Sequence, residues 1–212
     1  MRTRIKFCGC TSVADAQLAV AAGVDAIGVI FAAESPRRTD LARAREIALA
    51  VPAFVELVAV FVDPVATEIE EAVRAGFTPQ FSGAEAAALI ETTSAARYVK
   101  VFRIAADAVS DPQVFALRAQ PYQRATWMFE TEVAGRSGGT GQSFRWETAR
   151  ELAGERLFIV SGGLTPENVG DCVRRVRPYA VDVRSGIETA GAKDPQKMRA
   201  FVRAVKEADA QA

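Results

Sequence analysis

The 212-residue sequence predicts an α/β fold, a closed (β/α)8 or TIM barrel built as one domain over residues 1–212. Three observations point to it. Short apolar runs alternate with helical patterns eight times along the chain. The apolar runs are near-continuous, as expected of strands covered on both faces by parallel neighbours and helices. No low-complexity linker or shift in composition divides the chain. A doubly wound open sheet is the alternative, and it usually has fewer strands.

The units follow in order. RIKFC (4–8) leads to a helix over 12–22, and DAIGVIF (25–31) to one over 41–50. LVAVFV (57–62) precedes a helix at 67–75, and the weaker FTPQF (77–81) one at 84–91. RYVKVFRI (97–104) is followed by a helix near 112–118, and ATWMFE (125–130) by one from residue 146. RLFIV (156–160) and AVDVR (180–184) lead to helices over 166–176 and 195–208. Ser12 with Asp15 three residues on approaches a capping box. Thr165-Pro166 and Asp194-Pro195 each place a capping residue before a first-turn proline. Gly23 and Gly76 directly follow their helices, where a left-handed residue ends the turn.

Composition narrows the chemistry. Lysine and arginine number 26, aspartate and glutamate 26, which argues against a general nucleic-acid or membrane-surface binder. No apolar run approaches the ~18 residues of a membrane span. The N-terminus lacks the apolar core of a signal peptide, so the cytoplasm is the expected location. Three cysteines, Cys8, Cys10 and Cys172, do not make a disulfide framework. Histidine is absent, which excludes Ser-His-Asp and Cys-His catalysis and any histidine-based zinc site. Acid–base work falls to Cys, Asp, Glu, Lys or Tyr. No metal cluster is evident.

In a barrel the active site lies where strands run into the following helices. Three small-residue loops fall at such ends: Gly138-Gly139-Thr140-Gly141, Ser161-Gly162-Gly163 and Ser185-Gly186. Glycine lets backbone N–H groups approach a ligand, and barrels often hold phosphate with the loops after strands seven and eight. One such loop is an ordinary turn; three on neighbouring strands read as a phosphate site.

These stretches also resemble a known family. KFCGCT, DAIGVIFAAESPRR, FVELVAVFVDP, GGTGQSFRW, VSGGLTPENV, AVDVRSGIE and KDPQKMRAFV resemble, in order, the strand ends and helix starts of phosphoribosylanthranilate isomerase. The likeness runs nearly end to end and is weakest between about Gly76 and Tyr122. It implies an Amadori rearrangement of N-(5′-phosphoribosyl)anthranilate to an aminoketose phosphate in tryptophan biosynthesis, needing neither a metal nor an organic cofactor. The partner is then a small phosphosugar-anthranilate, with neither nucleic acid nor membrane, in a monomer or homodimer.

Residue by residue, the resemblance implies that Cys8 is the general base and Glu130 the general acid. Lys6, two residues earlier on the same strand face and about 7 Å away, would favour a thiolate at Cys8. Lys6 itself is expected to pair with an inward carboxylate such as Asp182. Arg37 would bind the anthranilate carboxylate, a planar target for a guanidinium fork, although the sequence does not fix whether it or Arg38 points inward. Phe31 either flanks the aromatic ring or packs into the core, the commoner fate of an aromatic at a strand end. Gly139, Gly141, Gly162, Gly163, Ser185 and Gly186 would hold phosphate, with Asp182 and Arg184 as further substrate contacts.

The sequence departs from the family pattern at four positions. Glu130 stands for aspartate, Ser82 for histidine, Arg145 for aspartate and Arg184 for serine. Glu130 adds one methylene, on the order of 1.3 Å of reach, and a displacement near 1 Å can cost about 100-fold in rate. Two other readings therefore stay open: an isomerase of a different aminoaldose phosphate, and a phosphate-ligand-binding barrel with weak catalysis.

Overall fold

The computed structural model describes residues 1–105, 111–132 and 145–211. Eight parallel strands close a barrel in chain order: β1 Arg4–Cys8, β2 Ala26–Ile30, β3 Glu56–Phe61, β4 Thr78–Phe81, β5 Val99–Ala105, β6 Thr126–Glu132, β7 Phe158–Ser161 and β8 Ala180–Val183. A helix follows each strand: α1 Val13–Ala22, α2 Leu41–Leu49, α3 Ala66–Arg74, α4 Ala87–Glu91, α5 Pro112–Ala119, α6 Trp146–Ala153, α7 Val169–Val176 and α8 Pro195–Ala210. The predicted fold class is the observed one.

Local signals act largely as read. Ser12 Oγ accepts from Asp15 N–H at 3.1 Å, while Asp15 reaches back to Thr11 N–H at 2.8 Å rather than to the cap itself. Gly23 ends α1 at φ 89°, a left-handed conformation that only glycine adopts without strain. Asp194 Oδ1 accepts from Gln196 N–H and Lys197 N–H at 2.8 and 3.2 Å and starts α8.

The start of α7 differs from expectation. Residues 166–168 form a turn and regular helix begins at Val169. Thr165 N–H donates to Asn168 Oδ1 at 2.8 Å, so the asparagine closes a local turn ahead of the helix. Arg145, where a carboxylate would cap α6, makes no capping bond and pairs with Glu151 at 3.4 Å instead. After β8 the chain adds a 3-10 turn and a small ladder of β9 Glu188–Thr189 on β10 Ala192–Lys193. Ala190 and Gly191, both at positive φ, make its two-residue turn.

The packing divides the chain into two compact units. The first comprises Met1–Lys6, Phe102–Gln120 and Trp127–Ala212. Its aromatic core joins Phe102 to Phe115 at 5.1 Å, Phe115 to Trp127 at 5.5 Å and Phe129 to Phe158 at 6.1 Å. Phe129 and Trp127 share one face of β6, which turns Met128 and Glu130 to the other. The second unit comprises Phe7–Val101 and Pro121–Thr126. There Phe31 stacks on Phe61 at 5.2 Å and Phe81 meets Tyr98 edge-on at 5.8 Å.

Candidate active site

In the first unit, the C-terminal ends of β6, β7 and β8 line up charged and polar groups. Glu130 stands opposite Ser161 in the register of β6 and β7, and Val160 opposite Val181 puts Asp182 beside Ser161. Lys6 Nζ donates to Asp182 Oδ1 at 2.6 Å and Ser161 Oγ donates to Asp182 Oδ2 at 2.9 Å. Lys6, Ser161 and Asp182 are all buried. This is the pairing expected for Lys6: two opposite charges removed from water must meet each other, with hydrogen bonds on the remaining oxygen.

Glu130 is held differently. Its Oε2 lies 3.7 Å from Arg103 Nε on β5, an ion pair beyond hydrogen-bond length. Burial pushes its carboxyl above the ordinary carboxylate range; the nearby Asp182 adds to this, and Arg103, Arg184 and Lys6 oppose it. A carboxyl raised by desolvation keeps its proton to higher pH, which is what a general acid requires.

The loops after β7 and β8 come close to neighbouring backbone. Gly162 and Gly163 both have positive φ, 87° and 68°. A side chain at Gly162 would collide with Thr131 N at 2.6 Å, and one at Gly186 with Leu164 O at 2.0 Å. Only glycine permits these approaches. Asn168 Nδ2 donates to Gly163 O at 2.9 Å and fixes the first loop from behind. Ser185 and Gly186 lie in the 3-10 turn that follows Arg184. Gly139 and Gly141 lie outside the described residues.

In the second unit, Cys8 ends β1 among Ile30, Val58 and Val60 and is only 6% exposed. Arg37 is half-buried while Arg38 is exposed and bridges to Ile30, so Arg37 is the more inward of the two. Phe31 stacks on Phe61 and meets Phe77 edge-on at 6.3 Å, committing its ring to the core. Ser82 is buried and its Oγ accepts from Gln80 Nε2 at 3.3 Å; Gln80 Oε1 is buried without a hydrogen-bond partner among the described residues.

Two contributors escaped the sequence reading. Arg103 was legible only as a cation in VKVFRI on the strand face opposite Phe102. Asn168 stood in TPENV, right after the glycine loop, where an asparagine closing a turn is common.

Comparisons with known proteins identify the family to which the fold belongs. The family model described as N-(5'phosphoribosyl)anthranilate (PRA) isomerase matches residues 5–204. A relative from Halorhodospira halophila named N-(5'-phosphoribosyl)anthranilate isomerase is 42% identical over 212 residues, covering 99% of each chain. The crystal structure of phosphoribosyl anthranilate isomerase from Thermus thermophilus superposes with a TM-score of 0.82 at 30% identity, covering 97% of this chain and 99% of that one. A further isomerase structure, solved in complex with reduced 1-(o-carboxyphenylamino)-1-deoxyribulose 5-phosphate, superposes at 0.79 with 30% identity over 97% and 99% of the two chains. The chain belongs to the N-(5′-phosphoribosyl)anthranilate isomerase family.

Proposed function

We propose that this chain carries out its family's reaction with Glu130 as general acid and Cys8 as general base. The reaction converts N-(5′-phosphoribosyl)anthranilate into 1-(o-carboxyphenylamino)-1-deoxyribulose 5-phosphate in tryptophan biosynthesis, an intramolecular oxidoreduction. The observation that carries the assignment is the raised carboxyl of Glu130 at a strand end, beside the Lys6–Asp182–Ser161 group.

Protonated Glu130 gives its proton to the furanose ring oxygen. The C1′–O bond breaks and the anilino nitrogen's lone pair forms the Schiff base. Cys8 then removes the C2′ proton, and the electron pair moves into the enolamine, which tautomerises to the ketone. Lys6, about 7 Å away along the same strand face, favours the thiolate form in which Cys8 takes that proton. A reducing cytoplasm, the location we propose, suits a mechanism that needs Cys8 reduced and able to act as a thiolate.

Arg37 binds the anthranilate carboxylate, and the backbone of Gly162, Gly163, Ser185 and Gly186, with Gly139 and Gly141, binds the phosphate. Asp182 orients substrate hydroxyls with Oδ2, the oxygen that also accepts from Ser161, and Arg184 adds positive charge nearby. The ligand named in the relative's complex carries both an anthranilate carboxylate and a 5-phosphate, which supports this division of labour. The eight strands close one ring, which supports treating residues 1–212 as one catalytic domain.

One solved structure is of monomers generated from the dimeric phosphoribosylanthranilate isomerase of Thermotoga maritima. A homodimer of this chain would cover Leu49 and Phe54, which are 90% and 102% exposed. Among the described residues, no helix is long and apolar enough to cross a membrane.

Turnover is followed by the change in anthranilate fluorescence. Cys8→Ser and Glu130→Gln are each expected to lose about 10²–10⁴ of kcat, the usual contribution of a general acid or base. Wild-type turnover in both variants overturns the assignment.

A further inference from the structure

We propose that Arg103 is a positioning residue for this reaction, a guanidinium on β5 that fixes where the Glu130 carboxyl sits and steadies the carboxylate left after proton transfer. The inference rests on the reading of Glu130 as the acid.

Three features support it. Arg103 Nε is buried and has no hydrogen-bond partner among the described residues. It lies 3.7 Å from Glu130 Oε2, too far for a hydrogen bond to the carboxyl at rest and close enough for an ion pair once the carboxyl is charged. Both side chains are largely shielded, 31% and 21% exposed, so the attraction is not lost to solvent as it is at an open surface.

The other groups acting on Glu130 do not replace this partner. Lys6 on β1 is engaged by Asp182 at 2.6 Å. Asp182 on β8 repels a carboxylate, Arg184 after β8 attracts it more weakly than Arg103 does, and Ser161 opposite Glu130 on β7 spends its hydroxyl on Asp182. When Glu130 releases its proton to the substrate ring oxygen, the new negative charge therefore falls beside Arg103.

The pair also accounts for the longer acid. A glutamate carboxyl extends roughly 1.3 Å beyond an aspartate carboxyl, and here that extra reach ends near Arg103 Nε. Shortening the side chain withdraws the carboxyl from its partner, so the two residues are energetically coupled.

The test uses the full chain. Arg103→Met, Arg103→Lys, Glu130→Asp, Glu130→Gln and the double variant Arg103→Met/Glu130→Asp are assayed for kcat and KM across pH. The Glu130 carboxyl is titrated directly by ¹³C NMR, assigned by its loss in Glu130→Gln.

In Arg103→Met we expect kcat to fall about tenfold with KM within about threefold, since misplacement by a fraction of an ångström acts on the chemical step. The Glu130 midpoint should rise by about one pH unit on loss of a neighbouring cation, and the alkaline limb of kcat should rise with it. Arg103→Lys, which keeps the charge, should restore most of that midpoint and remains informative if the methionine variant does not fold. In the Glu130→Asp background the Arg103→Met change should cost less than about twofold, because the contact is already withdrawn.

Equal costs in both backgrounds, or an unmoved midpoint in Arg103→Met, overturn the proposal even with Glu130→Gln inactive. Wild-type turnover in Glu130→Gln with a midpoint that still moves overturns the acid assignment and leaves Arg103 a mere ion-pair partner, overturning its role in the reaction.

Discussion

Two shielded glutamates near strand ends, one in each unit, are built in opposite ways. Glu85 in the second unit is saturated. Its Oε2 receives Lys100 Nζ at 2.6 Å, and its Oε1 accepts from Asp63 N–H at 3.0 Å and Gly83 N–H at 2.9 Å. Lys100 also donates to Gly83 O at 2.8 Å, so the pair ties the segment after β3 to the one after β4. Glu130 in the first unit has one cation at 3.7 Å and a carboxyl held above its ordinary range by burial. A saturated carboxylate has no oxygen left for a substrate and serves architecture. An under-solvated carboxyl keeps a proton it can deliver.

The contrast breaks most visibly at Glu130. Glu130→Gln should reduce kcat by about 10²–10⁴ while leaving the thermal unfolding midpoint near that of wild type, read by steady-state fluorescence assay and circular dichroism. A variant that unfolds early would place Glu130 with Glu85 instead.

Glu85→Gln should do the reverse. It leaves Lys100 without its counter-charge in a buried setting and is expected to cost about 3–5 kcal/mol in denaturant unfolding, with turnover per folded molecule close to wild type. A large fall in kcat at unchanged stability would erase the distinction between the two glutamates.

The pH dependence of stability sharpens the comparison. The folded pKa of Glu130 lies above its unfolded value, so the native state binds the proton more tightly between them. Its contribution to stability is complete below the ordinary carboxylate range and is lost as pH rises through the raised value. Wild type should thus lose stability relative to Glu130→Gln as pH rises through that window, measured by urea unfolding at a series of pH values. A difference independent of pH would show that the Glu130 carboxyl is not shifted by folding.

The smallest effect is expected at Ser161→Ala, which removes the 2.9 Å bond to Asp182 Oδ2 and should cost about 1–2 kcal/mol. Because Asp182 keeps Lys6, the variant should lower kcat far less than Glu130→Gln. A loss as deep as that of Glu130→Gln would make Ser161 part of the acid machinery.

Much of this site could be read from residue order because strand alternation is a local rule. RIKFC places Lys6 and Cys8 on one face, and AVDVR places Asp182 and Arg184 on one face, so the Lys6–Asp182 pair followed from pattern and charge. Glycines needed at close approaches, such as Gly162 and Gly186, were visible as loop residues, although the atoms they avoid were not. The start of α7 was misjudged because Asn168 competes for the backbone of Thr165 ahead of the helix. Arg103 was missed because its meaning depends on a neighbour 27 residues on, reached only by strand pairing.

By itself the sequence determined the eight-unit rhythm, the face on which each strand carries its charges and, through the absence of histidine, the restriction of acid–base chemistry to cysteine, aspartate, glutamate, lysine and tyrosine. Periodicity and residue chemistry are properties of the chain and need no partner. Only the tertiary structure decided which charge is spent on which: Lys6 on Asp182, Lys100 on Glu85, and Arg103 on a glutamate it approaches without fully satisfying. Those choices depend on distances of a few ångströms between strands and on how much water each pair has lost, and neither quantity exists until the chain is folded.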